Sequence, residues 1–528
     1  MQLLNCAHWL SWVSVLCFTA LSIAASTRSS SIITTNCLNI STAYPGTVYF
    51  PGSAEYAASK TSYFSAFENE LSPACIIQPT TSAEIAQVIK TIQSFPPDQR
   101  TKQVAIRSGG HTPWAGAANI AAHGLTIDLS LMDAVTLDST GSIASIGPGN
   151  RWGNVYEMLA KQGLATVGGR VSKVGVGGLT LGGKPGSFSD LESWTNIYLG
   201  GLSYFSAATG FVCDNVIGYE VVLSSGEIIE VNQASHADLF VALKGGGNNF
   251  GIVTRIDFPA FPQDGMWGGS TFYGDTTYPA LVQAFYDFAV DPNPDDKASI
   301  IVGTNWIGGV GEIPVTNLYY TAAIANPPAL EPLVNIQPQL QNTLRFDSLF
   351  GFAQEQSNFN TDDARQWFFT TTFKADVQFM IDIRAFFLET AQDLQSQPGF
   401  TISLVFQPIT QAILQSSLAK GENSLGLSVS DGPLVVCLIN TVHSDVTSDD
   451  LVSAGALNLI QQIEALAEER HLNSRYRFNN YAFETQKVIE GYGAESVANL
   501  KAISKKYDPT GFFQKVVTGG FKVLDVET

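Results

Sequence analysis

The spacing of hydrophobic positions changes several times along the chain, and the changes divide it. Ile85, Val88, Ile89 and Ile92 recur at helical spacing behind Thr81-Ser82-Ala83-Glu84. That tetrad is a capping box, in which Thr81 and Glu84 side chains satisfy each other's backbone N–H groups, so a helix is predicted from there. A short strand is predicted at Val104-Ala105-Ile106, and Leu125, Ile127 and Leu129 alternate with polar residues as in a half-buried strand. Val155 to Leu164 reads as a helix, and Tyr219–Leu223 and Glu227–Val231 flank Ser224-Ser225-Gly226 as a hairpin. Strands and helices thus alternate from about Ala74 to Phe261. From about Met266 to Tyr476 strand-like runs (Ser299–Gly303, Thr401–Phe406) mix with longer helical ones (Leu451–Glu469), which predicts a second α+β unit. Residues 476–528 are too few for a core of their own and are expected to return to one of the others.

The one long apolar stretch, Trp9 to Ala25, ends in small residues like a signal-peptidase site, so residues 1–25 are expected to be a signal peptide and the mature chain to be secreted or lumenal, without a stable membrane span. Removal of Cys6 and Cys17 with that segment leaves Cys37, Cys75, Cys213 and Cys437. The last two lie in apolar runs and are expected as buried thiols, which leaves Cys37 and Cys75 as the expected disulfide. Asn39-Ile-Ser41 is a glycosylation sequon, in keeping with secretion. The 528 residues are 45% hydrophobic and only 14% charged, with 28 basic against 47 acidic side chains, a net charge of −19. This composition excludes long disorder and a coiled coil. The acidic balance without a basic run argues against a nucleic-acid partner.

Chemistry concentrates in glycine-rich segments. None fits the dinucleotide fingerprint G-x-G-x-x-G, and the Walker-like Gly178–Lys184 carries Pro185 where a magnesium-binding hydroxyl is required. The six histidines lack metal spacing, and there is no G-x-S-x-G elbow. Arg107-Ser108-Gly109-Gly110-His111, directly after a strand, can instead gather backbone N–H groups around a phosphate. Ser145–Gly149, Val174–Gly178 and Leu243–Val253 follow in order. Four close-approach loops in one α/β region suit an extended ligand with two phosphates.

These segments resemble the flavoproteins of the vanillyl-alcohol oxidase type, in the berberine-bridge-enzyme-like branch and especially its fungal members. The resemblance spans about residues 60–265 and 476–523 and rests on Arg107–His111, Gly175–Gly183, Cys213-Asp-Asn-Val216, Gly245–Thr254 and Lys506–Phe513. It implies an α+β architecture: an FAD-binding domain of two subdomains (PCMH type, residues 26–265, core about 71–261), a substrate domain with an antiparallel sheet and helices (266–475), and a C-terminal return (476–528). It implies FAD contacts from Arg107, Ser108, Gly109, Gly110, His111, Gly175, Gly177, Gly178, Gly182, Gly183, Gly201, Gly251, Ile252, Val253 and Asn480. His111 matches the position bonded covalently to the flavin. Val171 stands where many members carry a second, cysteinyl tether, so a single attachment is implied. Tyr481, in Tyr476-Arg-Phe-Asn-Asn-Tyr481, matches a tyrosine that takes a substrate proton while hydride goes to the flavin; aromatic packing on the flavin is the competing role. Gln407 is expected over the ring, where alkaloid-forming relatives often carry a glutamate, and Phe483 replaces a common acid.

One segment departs from the family. Deleting Lys184–Gly200 would restore an uninterrupted Gly-Gly-Gly-Leu-Ser-Tyr, and a Gly-Lys junction is what an in-frame GGT-AAG intron start encodes, so the segment is expected to be a retained intron or a gene-model error and not a designed loop. The function implied is a secreted FAD-dependent oxidase or dehydrogenase that takes hydride from a small organic substrate, a fungal secondary metabolite first, and passes electrons to O2 or another acceptor. A sugar or oligosaccharide oxidase is the alternative. A flavin-family protein inactivated by residues 184–200 is another.

Overall fold

The computed structural model describes residues 33–96, 102–182 and 202–526. The expected signal peptide, residues 184–200, Gly183 and Gly201 lie outside the described residues.

Among the described residues three larger sheets build the molecule, beside a two-stranded pairing of Leu164–Ala165 with Phe261–Pro262. In the first, Cys75–Ile77, Leu125–Asp128 and Val104–Arg107 run parallel and Val48–Tyr49 pairs antiparallel at one edge. The crossover helix Ser82–Gln93 starts at the expected capping box and buries Ile85, Val88, Ile89 and Ile92. Leu125–Asp128 is not half-buried: all four of its residues are buried. Its polar side chains are paired internally, Thr126 with Asn119 and Asp128 with Ser59 and Gln78, which makes a two-faced central strand affordable. Cys37 and Cys75 form a disulfide that ties residues 33–43, which are helical, to this sheet; Asn39 is exposed on that helical turn.

The second sheet is antiparallel, in the order Val135–Leu137, Ile143–Ile146, Ile252–Pro259, Gly218–Val222, Ile228–Val231. The last two strands form the expected hairpin, with Gly226 at positive φ in its turn. The helix expected over Val155–Leu164 lies earlier, at Trp152–Ala160, where Trp152 anchors its buried face; Leu164 begins a short strand.

The third sheet has eight antiparallel strands between Met266 and His443. One face packs against the helices Tyr278–Val290, Val377–Leu394 and Asp449–Glu469. The other face contributes Val315, Val405, Val436 and Leu438 to the core of the second sheet. The chain then returns to the first unit: Lys102 and Gln103 N–H groups donate to Lys515 and Val516 carbonyls, and Thr518 N–H donates to the Val104 carbonyl. A cleft is thereby enclosed by glycine loops of the first two sheets and by the C-terminal segment.

Candidate active site

The cleft holds about 1020 Å³ of empty space. Its wall includes Ser108, Gly109, Gly110, His111, Gly175, Gly177, Gly178, Gly182, Gly251, Ile252 and Val253. The loop after Val104–Arg107 and the loop before helix Val176–Leu181 touch backbone to backbone: a Cβ on Gly109 would fall 2.4 Å from the Gly175 Cα. Ser108 Oγ accepts the Gly177 N–H at 3.2 Å and donates to the Pro148 carbonyl, which locks three loops together. Gly178 is different in kind. A Cβ there meets nothing within 4 Å, so the missing side chain is open cleft and not a packing contact.

His111 lines the same cleft, 5% exposed, with its ring 4.8 Å from that of Phe64. Neither ring nitrogen has a hydrogen-bond partner among the described residues. Burial, then the charges of Arg151, Lys173 and Arg107, hold its pKa well below the usual imidazole range. The ring is therefore neutral near pH 7, with a free nitrogen lone pair, which is the state a carbon–nitrogen bond requires. Lys173 pairs with Asp362 at 3.4 Å. Burial pushes Lys173 down to about 8 and Asp362 up to about 6, each against the pull of its partner.

Arg107, expected among the cofactor contacts, points elsewhere. Its guanidinium donates to Ser59 and Ser62 carbonyls at 2.7 and 2.9 Å, lies 3.6 Å from the Asp128 carboxylate and stacks on Tyr63. The arginine braces the loop from behind, because a donor-only side chain finds its acceptors there. Asn480 also departs from expectation: it borders a smaller cavity beside Thr180 and Tyr476, while its neighbour Asn479 reaches the cleft wall. Val171, at the place of the family's second tether, is fully buried in the core. Cys213 and Cys437 are free and buried, with thiol pKa values raised by burial.

Gln407 and Tyr481 are brought together across 74 residues of sequence, Gln407 Nε2 donating to the Tyr481 hydroxyl at 2.6 Å. Gln407 projects from strand Thr401–Ile409, and Tyr481 ends the turn Asn479–Tyr481, whose first residue lines the cleft. Both are buried, and neither belongs to the cleft wall itself. Phe483, at the acid position, packs on Trp367 and Phe369.

Sequence reasoning missed Gly246, Gly247, Asn248, Asn479, Ile489, Gly520 and Phe521 on the wall. Gly246–Asn248 lie inside the Gly245–Thr254 motif and were there to be read. Gly520 was marked by the Gly519-Gly520 pair, where a Cβ would collide with Ala117 and Asn248 respectively.

The fit to FAD is good on these grounds: a glycine-lined cradle, an open Gly178, and on its wall a neutral imidazole without a hydrogen-bond partner among the described residues. An FAD binding domain model matches residues 73–198. The chain is 33% identical over 479 residues, 87% of each protein, to an FAD-dependent monooxygenase of Fusarium proliferatum. It is 33% identical over 487 residues, 90% of this chain and 89% of the relative, to one of Cochliobolus heterostrophus. The chain belongs to a family of fungal FAD-dependent oxidoreductases. The fold is shared with 6-hydroxy-D-nicotine oxidase of Arthrobacter nicotinovorans (TM-score 0.71, 18% identity, covering 89% of this chain and 96% of that one) and with Acremonium strictum glucooligosaccharide oxidase, described with a 6-S-cysteinyl, 8α-N1-histidyl FAD (0.69, 19%, 92% and 99%).

Proposed function

We propose that this flavoprotein oxidises a small organic alcohol, a fungal secondary metabolite, with FAD held covalently by His111 alone. The observation that carries the reading is the meeting of Tyr481 and Gln407 beside a cleft that His111 lines. FAD would supply the hydride acceptor and return the electrons to O2 as H2O2. Tyr481 would take the hydroxyl proton as the C–H bond gives up its hydride, so the alcohol becomes a carbonyl compound with electrons and protons balanced. Gln407 would orient the phenol. The residue at position 171 supports a single tether, since valine cannot form the second thioether. The Cys37–Cys75 disulfide supports an oxidising compartment, in keeping with the N-terminal apolar stretch and the exposed Asn39 sequon.

The names of the relatives favour a second reading, monooxygenation. The test is anaerobic bleaching of the bound flavin by two panels, phenolic or polyketide-type alcohols and neutral oligosaccharides, followed by reoxidation under labelled O2. Bleaching by the first panel, with H2O2 formed and no label in the product, supports the proposal. Bleaching by the oligosaccharides alone overturns the substrate class, and label in the product assigns a monooxygenase. With an alcohol that bleaches, Tyr481→Phe should slow reduction by about 10²–10⁴-fold with flavin still bound; a loss below about tenfold overturns the base assignment.

A further inference from the structure

Arg170 is a fully buried guanidinium, 2% exposed, that forms no ion pair with a carboxylate among the described residues. An uncompensated buried charge is costly, so the site must return something for it. Arg170 Nη2 donates to Gln407 Oε1, and its Nε has no partner. The groups with charge or a titratable proton that surround it are phenols: Tyr481, Tyr204 and Tyr319, with Tyr156 beyond Tyr204. Glu355, the acid that acts on Tyr204 and Tyr319, is already engaged by Arg345. Tyr204 reaches the same loop by donating its hydroxyl to the Arg170 carbonyl at 3.0 Å.

The direction of the hydrogen bonds matters more than their number. Arginine has donors only, so the Gln407 atom facing it must be the carbonyl oxygen. That places the Gln407 amide NH2 toward Tyr481, and the 2.6 Å contact is a bond donated to the phenol oxygen. The phenol oxygen is thereby made an acceptor. A phenolate accepts this bond better than a phenol does, and the buried Arg170 cation, which also engages the Tyr481 side chain directly, favours the anion further.

We propose that Arg170 is a positioning residue that fixes a one-way donor relay, Arg170 to Gln407 to Tyr481, and so stabilises the Tyr481 phenolate for proton abstraction. The inference rests on the reading of Tyr481 as the base. It explains why the ion-pair partner of Arg170 is missing: the partner is the phenolate. Reversal of the Gln407 amide would place NH2 against guanidinium and lose the Arg170 bond, so the arginine fixes the amide in one sense.

The test needs no substrate. The holoprotein is titrated from neutral to alkaline pH and tyrosinate absorbance is followed in the near ultraviolet, with Tyr481→Phe as the blank that isolates residue 481. Tyr481 should ionise at least one unit below the phenol reference of about 10, a tenfold larger phenolate fraction at a given pH. Arg170→Met, blanked against Arg170→Met/Tyr481→Phe, should move that ionisation up by a unit or more, Gln407→Leu should also raise it, and Arg170→Lys should restore part of the shift. A Tyr481 that stays protonated through pH 10 in the parent protein overturns the proposal, as does an unchanged titration in Arg170→Met. If Arg170→Met fails to fold, Gln407→Leu and Arg170→Lys decide the same point. Failure of the base assignment would read out separately: Tyr481→Phe would keep its flavin-reduction rate whatever the titration shows.

Discussion

Single residues carry distinct kinds of evidence here. Gly178 borders empty space, whereas Gly109 and Gly175 border each other's backbone. Gly178→Leu should therefore fold like the parent, with an unchanged melting temperature of the flavin-free form, yet retain little FAD after gel filtration. Full FAD retention would place the cofactor elsewhere. The glycine motif was legible in the sequence because close backbone approach admits no side chain, and it marked most of the cleft wall. Which glycine serves packing and which serves ligand was not legible, since both demand the same residue. Arg107 was misread for a related reason: an arginine beside a phosphate-type loop suggests an anion contact, but Ser59, Ser62 and Asp128, distant in sequence, hold it on the far side. Arg170 gave no signal at all in sequence. Its meaning arises only when Gln407 and Tyr481 arrive from other elements.

At the scale of elements, the helix at Ser82 was predictable to the residue because its cap is local chemistry. Leu125–Asp128 was not, because burial on both faces depends on partners 7 to 69 residues away. The pairing of Cys37 with Cys75 was accessible by elimination, and it closes a 38-residue separation. Replacing both cysteines by alanine should cost about 4 kcal/mol in the chain-entropy view, read as a lower denaturation midpoint in urea. An unchanged midpoint would mean that the helical segment at residues 33–43 adds nothing to the first sheet. The loop before strand Arg365–Lys374 brings Asp362 to Lys173, close to His111. Asp362 binds its proton more tightly folded, at about 6, than its ordinary 3.8. The folded state thus holds more protons in that window, so this group's stabilising contribution is full below 3.8 and is lost as pH rises through about 6. The stability of the parent relative to Asp362→Asn should accordingly fall as pH is raised from about 4 to 7 and level off above. A difference that rises over that window would contradict the buried setting of Asp362.

The whole molecule is a cofactor cradle closed by parts of the chain far apart in sequence. The change of texture near Met266 announced a second architecture, and the eight-stranded sheet begins there. The way its inner face meets the flavin unit could not be read, because alternation along a strand says which residues share a face but not what that face opposes. The C-terminal return could be expected from length alone; its bonds to Asn248 and Asn249, which finish the cleft, could not. The neutral His111 on the wall of this cradle, without a partner among the described residues, makes one measurement decisive for the account. The full-length protein, residues 184–200 included, is precipitated with acid, digested and mapped by mass. The account predicts FAD mass on the peptide containing His111, none on a cysteine peptide, and loss of the bound colour on denaturing His111→Ala. Flavin wholly released from the parent protein by denaturation, or a protein that never carries flavin, would contradict it.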